Sequence, residues 1–201
     1  MSLRLLLDVR PTRFLWLFAL LAAALLSACS KPSAPTVGHY RAVLKLPGGE
    51  TPFGLEVAQE GDGFVLFLTN GTERTRVSDV QVADGQLSAR FPGYENSLRA
   101  ELRKDRLVGA VTLIKAGGKE QVIPFEARLG QTHRFFAEPS SDNADVEGRW
   151  SVTLTSDDGE ITPAVAVFEQ EHDRVTGTIM TPTGDHRFLA GQVRRNEVHL
   201  S

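Results

Sequence analysis

The feature that most constrains this chain is a period of two. From His39 onward, apolar residues alternate with polar ones in short runs, and each run stops at a turn signal. Successive side chains of an extended strand point to opposite faces, so this pattern predicts half-buried β-strands and disfavours amphipathic helices. Tyr40, Ala42, Leu44 and Leu46 form one such row, and Gly48-Gly49 turns the chain. Phe53, Leu55 and Val57 form the next, ending at Gly61-Asp62-Gly63. Phe64 to Leu68 leads to Asn70-Gly71, and Val77 to Val82 leads to Asp84-Gly85. Both dipeptides favour tight hairpins because they accept a left-handed backbone. Leu87, Ala89 and Phe91 continue the meander. Leu98 to Leu102 faces Leu107 to Ile114 across Lys104-Asp105, and Gly117-Gly118 opens Val122 to Leu129. The expected fold is all-β, an antiparallel meander forming a barrel or a sandwich, preceded by an N-terminal signal helix.

The meander restarts. Gly38-His39-Tyr40, Leu44, Gly49-Glu50 and Pro52 are answered by Gly148-Arg149-Trp150, Leu154, Gly159-Glu160 and Pro163. Val82, Leu87 and Ala89 align in turn with Val193, Val198 and Leu200. Two related β units follow, at 38–130 and 148–201, joined by a polar linker at 131–147 that holds Glu138-Pro139-Ser140-Ser141-Asp142-Asn143. The first unit runs on past Ala89 to Leu129 and the second has no counterpart of that stretch. The second unit is therefore expected to be incomplete, and the sequence to be an N-terminal piece of a longer protein.

The N-terminus carries a different message. Arg4, Arg10 and Arg13 precede an apolar run from Phe14 to Leu26, shorter than the roughly 20 residues of a membrane-spanning helix. Leu26-Ser27-Ala28-Cys29 then resembles the lipobox of bacterial lipoproteins. The resemblance implies a signal peptide over 1–28, cleavage between Ala28 and Cys29, and acyl chains such as palmitate on the Cys29 thiol. Cys29 is the sole cysteine among the 201 residues. Lipidation would consume a thiol that is otherwise a liability in an oxidising compartment. Residues 29–37, rich in Pro and Ser, read as a tether. Ser30 in place of aspartate resembles the sorting signal for the outer membrane over the inner one. The expected location is the bacterial cell envelope, anchored to the membrane through Cys29 and facing the periplasm.

Chemistry is sparse in the rest. With a net charge of −3 and both signs interspersed, nucleic acid is disfavoured as a partner. One cysteine allows no disulfide, no dithiol site and no cysteine-based zinc site. His39, His133, His172, His186 and His199 show no close metal-ligand pair, so no metal and no cofactor are expected. Asp185-His186 and the group Glu169, Glu171, His172 and Asp173 read as turn residues. Tyr94 and Trp150 read as core or corner aromatics before groove residues, and no catalytic residue is assigned. A closed barrel could also enclose a small apolar ligand, as lipocalin-like folds do.

Four stretches together, Phe91-Pro92-Gly93-Tyr94-Glu95-Asn96, Gln121-Val122-Ile123-Pro124-Phe125, 142–150 and Thr181 to Phe188, resemble the β-rich N-terminal extension of periplasmic TlpA-type proteins. The resemblance implies a downstream thioredoxin-fold domain with a Cys-x-x-Cys disulfide reductase site. No position of this sequence matches those cysteines. The expected function is a non-catalytic accessory module of such a reductase. The alternatives are a stand-alone lipocalin-like ligand-binding lipoprotein and an envelope interaction protein with an unidentified periplasmic partner.

Overall fold

In the computed structural model the chain is all-β and antiparallel, and the structure describes residues 32–201 apart from Pro139 and Asp157. The side chains of Arg187 and Phe188 are likewise not described. The signal helix, Ala28 and Cys29 lie outside the described residues.

The first sheet contains β1 (Gly38–Leu46), β2 (Gly49–Glu60), β3 (Gly63–Asn70), β4 (Glu73–Val77), β5 (Asp79–Ala83), β6 (Gln86–Arg90), β7 (Ser97–Leu102), β8 (Arg106–Ile114) and β9 (Glu120–Leu129). Its order is β4-β3-β2-β1-β9-β8-β7-β6-β5. The two outermost segments are consecutive in sequence, separated by Ser78 alone. They are two halves of one strand that bends away from β3 after the fully buried Val77, so the meander curls into a nearly closed barrel of eight staves. The β1–β9 pair, from Tyr40↔Leu129 to Leu44↔Phe125, joins the start of the meander to its end. Curling a sheet into a barrel removes edges that would otherwise recruit other strands.

The alternation explains the interior. Tyr40, Ala42, Leu55, Val57, Leu66, Leu87, Ala89, Leu98, Ala100, Leu102, Leu107 and Phe125 belong to one buried cluster. Leu44, Phe53, Phe64, Leu68, Val80 and Val82 pack against it. These are the inward members of each period-two row, and they fill the barrel with side chains.

The second sheet is a plain meander of β10 (Gly148–Thr155), β11 (Ile161–Glu171), β12 (Arg174–Thr181), β13 (Gly184–Arg194) and β14 (Glu197–Leu200). Its pairing repeats that of the barrel. Val57↔Leu66, Asn70↔Glu73 and Val82↔Leu87 become Phe168↔Gly177, Thr181↔Gly184 and Val193↔Val198. Every partner in those pairs is displaced by 111 positions. On β10 the displacement is 110, as Tyr40↔Leu55 and Trp150↔Ala166 show, so one residue is inserted in the turn between β10 and β11. Backbone conformation repeats as well: Gly61 and His172 hold φ of 58° and 59°, and Asp84 and Arg195 hold 52° and 54°. β13 matches β4 and β5 joined. Where the barrel strand bends at Ser78, β13 absorbs a register shift opposite Gly177 and Ile179 and stays paired to β12. The two sheets belong to one compact body.

Candidate functional site

Two features of this body could do work beyond folding. The first is a polar cleft of about 700 Å3, lined by both sheets and the linker, where His39, Arg41, His133, Arg134, Asp173 and Gln192 gather. The Arg134 guanidinium donates to the Oδ1 of Asn70, to the Ser201 hydroxyl at 2.6 Å and to the Ser201 carbonyl at 3.2 Å. The Ser201 hydroxyl donates in turn to the Pro52 carbonyl at 3.0 Å, and Arg41 Nε donates to the Arg134 carbonyl at 2.8 Å. Burial and then the charge of Arg41 push the Arg134 pKa down to about 10. The same two causes, in the same order, lower that of His133.

Gln192, which lines the same cleft, is buried at 9% exposure. Its Oε1 accepts the backbone N–H groups of Phe135 and Phe136 at 2.7 and 3.0 Å, and its Nε2 donates to Asp173 Oδ2 at 3.0 Å. The His199 ring meets the rings of Phe135 and Phe136 at 5.4 and 4.9 Å between centroids. These contacts fasten the linker to the outer face of the second sheet. Among the described residues no three His, Cys, Asp or Glu side chains converge on a point that could hold a metal ion. The cleft is a seam whose polar groups are largely engaged with one another.

The second feature is the inner face of the second sheet. By register its rows are Trp150, Val152 and Leu154 on β10, Ala164, Ala166 and Phe168 on β11, Val175 and Ile179 on β12, Val193 on β13, and Val198 and Leu200 on β14. The middle of this face is buried, with Ala166, Val175 and Val193 at 1% or less. Its margins are open: Trp150 is 44% exposed and Val198 38%, while their barrel equivalents Tyr40 and Leu87 are 3% and 0% exposed. In the barrel, β9 covers Tyr40 and β7 covers Leu87, through the pairs Tyr40↔Leu129 and Leu87↔Ala100. In the second sheet, β10 and β14 have no such neighbours among the described strands.

Compared with protein-family models, curated proteins and solved structures, the chain matches none of them. Its reading rests on its own geometry.

The structure sorts the sequence candidates. His39 and His133 both line the cleft, although 94 positions apart in sequence. His172 and Asp173 form the β11–β12 turn, as expected of that cluster, but Asp173 also holds Gln192. Asp185 and His186 lie on β13 and not in the turn, which Pro182 and Thr183 make. Tyr94 and Trp150 are not brought into one groove. Tyr94 is 74% exposed on the β6–β7 loop, whereas Trp150 is a corner residue whose indole N–H donates to the Val146 carbonyl at 2.8 Å. Gln192 and Arg134 escaped sequence reasoning, because a polar residue in a period-two row signals a solvated face and their partners come from distant segments.

Proposed function

We propose that the chain is a non-catalytic, lipid-anchored module of the bacterial envelope that binds protein through the inner face of its second sheet. The anchor is Cys29, the tether is 29–37, and the module faces the periplasm from the outer membrane. The protein it serves is a thioredoxin-fold disulfide reductase domain of the TlpA type, on the resemblance noted above.

One observation carries the reading: an apolar face with open margins at Trp150 and Val198, flanked by two edge strands. Such a face suits strands of polypeptide, which satisfy edge hydrogen bonds and bury alternate side chains together. The filled barrel interior gives no comparable support to a small-ligand reading.

Two measurements test it. Cys29→Ala should move the protein from the membrane fraction to the soluble one. A variant still membrane-bound after a high-salt wash would end the anchor claim. The gene's whole product, extracted from the membrane, should carry thiols besides Cys29 when titrated in denaturant, and should reduce insulin disulfides. A product with no further thiol would end the reductase claim.

A further inference from the structure

We propose that the cleft between the two sheets binds a small organic anion, whose carboxylate or phosphate head sits among Arg134, Arg174 and His133. The site uses the outer face of the second sheet, not the inner face assigned to protein. It depends on neither the anchor nor a reductase.

Three separate segments build it. On β1, Tyr40 and Ala42 point into the barrel, so His39 and Arg41 point out to the cleft. On β12 and β13, Val175 and Val193 point inward, so the paired residues Arg174 and Gln192 point out to it from the second sheet. The linker adds His133 and Arg134.

The charge of this lining is unbalanced. Arg41, Arg134 and Arg174 stand against the carboxylate of Asp173 alone, in a chain whose net charge is −3. Asp173 already accepts from Gln192, and Arg41 already meets Glu50 at 3.7 Å. Arg134 has no Asp or Glu partner among the described residues. Its Nη2 reaches the neutral groups of Asn70 and Ser201, and its Nε is buried with no hydrogen-bond partner. The side chains of His39, His133 and Arg174 make no hydrogen bond or ion pair among the described residues. A buried guanidinium is costly without an anion to meet it. Burial first and the charge of Arg41 second lower the pKa of both Arg134 and His133, and no carboxylate opposes them. An oxyanion supplies what is missing, because it accepts several N–H groups at once and offsets the repulsion among the cations.

Shape narrows the class. A concave cleft of about 700 Å3 suits a small molecule better than the acidic surface of a protein. Phe136 and Ala190 give the rest of that molecule an apolar wall.

The test titrates the full chain, extracted in detergent, with phenyl phosphate and with benzoate by calorimetry at constant ionic strength. At least one should bind saturably with a Kd below about 1 mM, and the tighter of the two identifies the head group. Arg174→Gln should weaken that binding about tenfold or more. Arg174 is exposed and ties no segment to another, whereas Arg134→Gln would also cut the links to Asn70 and Ser201. In wild type, saturation should move the His133 titration upward in an NMR series, because the anion offsets the field of Arg41, Arg134 and Arg174 that Asp173 alone leaves uncompensated. No saturable binding of either probe would overturn the proposal. So would binding that Arg174→Gln leaves unchanged, or a saturated protein whose His133 titration stays where it was.

Discussion

Tyr40 and Trp150 make the same hydrogen bond in two different surroundings. The Tyr40 hydroxyl donates to the carbonyl of Thr36 at 2.6 Å, and the Trp150 indole N–H donates to that of Val146 at 2.8 Å. Each aromatic stands two residues into its strand and reaches back four residues to pin the chain that enters it. Burial raises the pKa of Tyr40, a shift the Thr36 bond opposes and Asp105 reinforces, so the phenol keeps its proton. Tyr40→Phe should cost about 1–2 kcal/mol in urea unfolding, since a part-buried hydrogen bond made by a buried phenol is lost. Trp150→Phe should cost less than about 1 kcal/mol, because water reaches the site. Equal costs would contradict the difference in burial.

The shared backbone of the β2–β3 and β11–β12 turns gives a second expectation. His172 holds a left-handed φ that its counterpart Gly61 adopts without a Cβ penalty. His172→Gly should therefore raise stability by about 1 kcal/mol, and Gly61→His should lower it by a similar amount. Paired thermal melts of the two variants would show opposite shifts.

Much of this was legible in the sequence. Period-two rows located the strands, and Asn70-Gly71 and Asp84-Gly85 located two hairpins. Gly38-His39-Tyr40 against Gly148-Arg149-Trp150 exposed the repeat. Barrel curvature was not legible, because it depends on the bend at Ser78, and a serine between two apolar rows looks like any outward residue. The seam at Arg134 was hidden for another reason: its partners Asn70 and Ser201 are 64 and 67 positions away. Trp150 suggested a core or corner aromatic because the alternation is right. Its exposure follows from which strands flank it, which no local pattern encodes.

Gln192 yields a third prediction. Its side chain is the acceptor for two successive linker amides and a donor to Asp173. Gln192→Leu keeps approximate volume but leaves the Phe135 and Phe136 N–H groups without that acceptor. A loss of about 2–4 kcal/mol is expected, with faster hydrogen exchange at those two amides. Unchanged exchange would show that other groups hold the linker.

A fourth concerns pH. Burial and Arg41 lower the His133 pKa below 6.5 in the folded protein. The unfolded chain then binds the proton more readily, so stability from this group is complete above pH 6.5 and declines as pH falls through the lowered value. Arg41→Gln should move the His133 titration upward in an NMR series and flatten that part of the stability profile. A titration unmoved by the substitution would leave burial as the sole cause.

The junction of β1 with β9 has a mechanical side. Tyr40 faces Leu129, and the Gly130 N–H donates to the His39 carbonyl at 2.9 Å, so the chain enters and leaves the barrel at neighbouring points. A pull between Thr36 and Gly130 therefore peels the two strands apart from one end, breaking the pairs in sequence from Tyr40↔Leu129 toward Leu44↔Phe125. Peeling loads one bond at a time where shear would load the whole row together. The barrel would open like a zip under tension applied along its own chain.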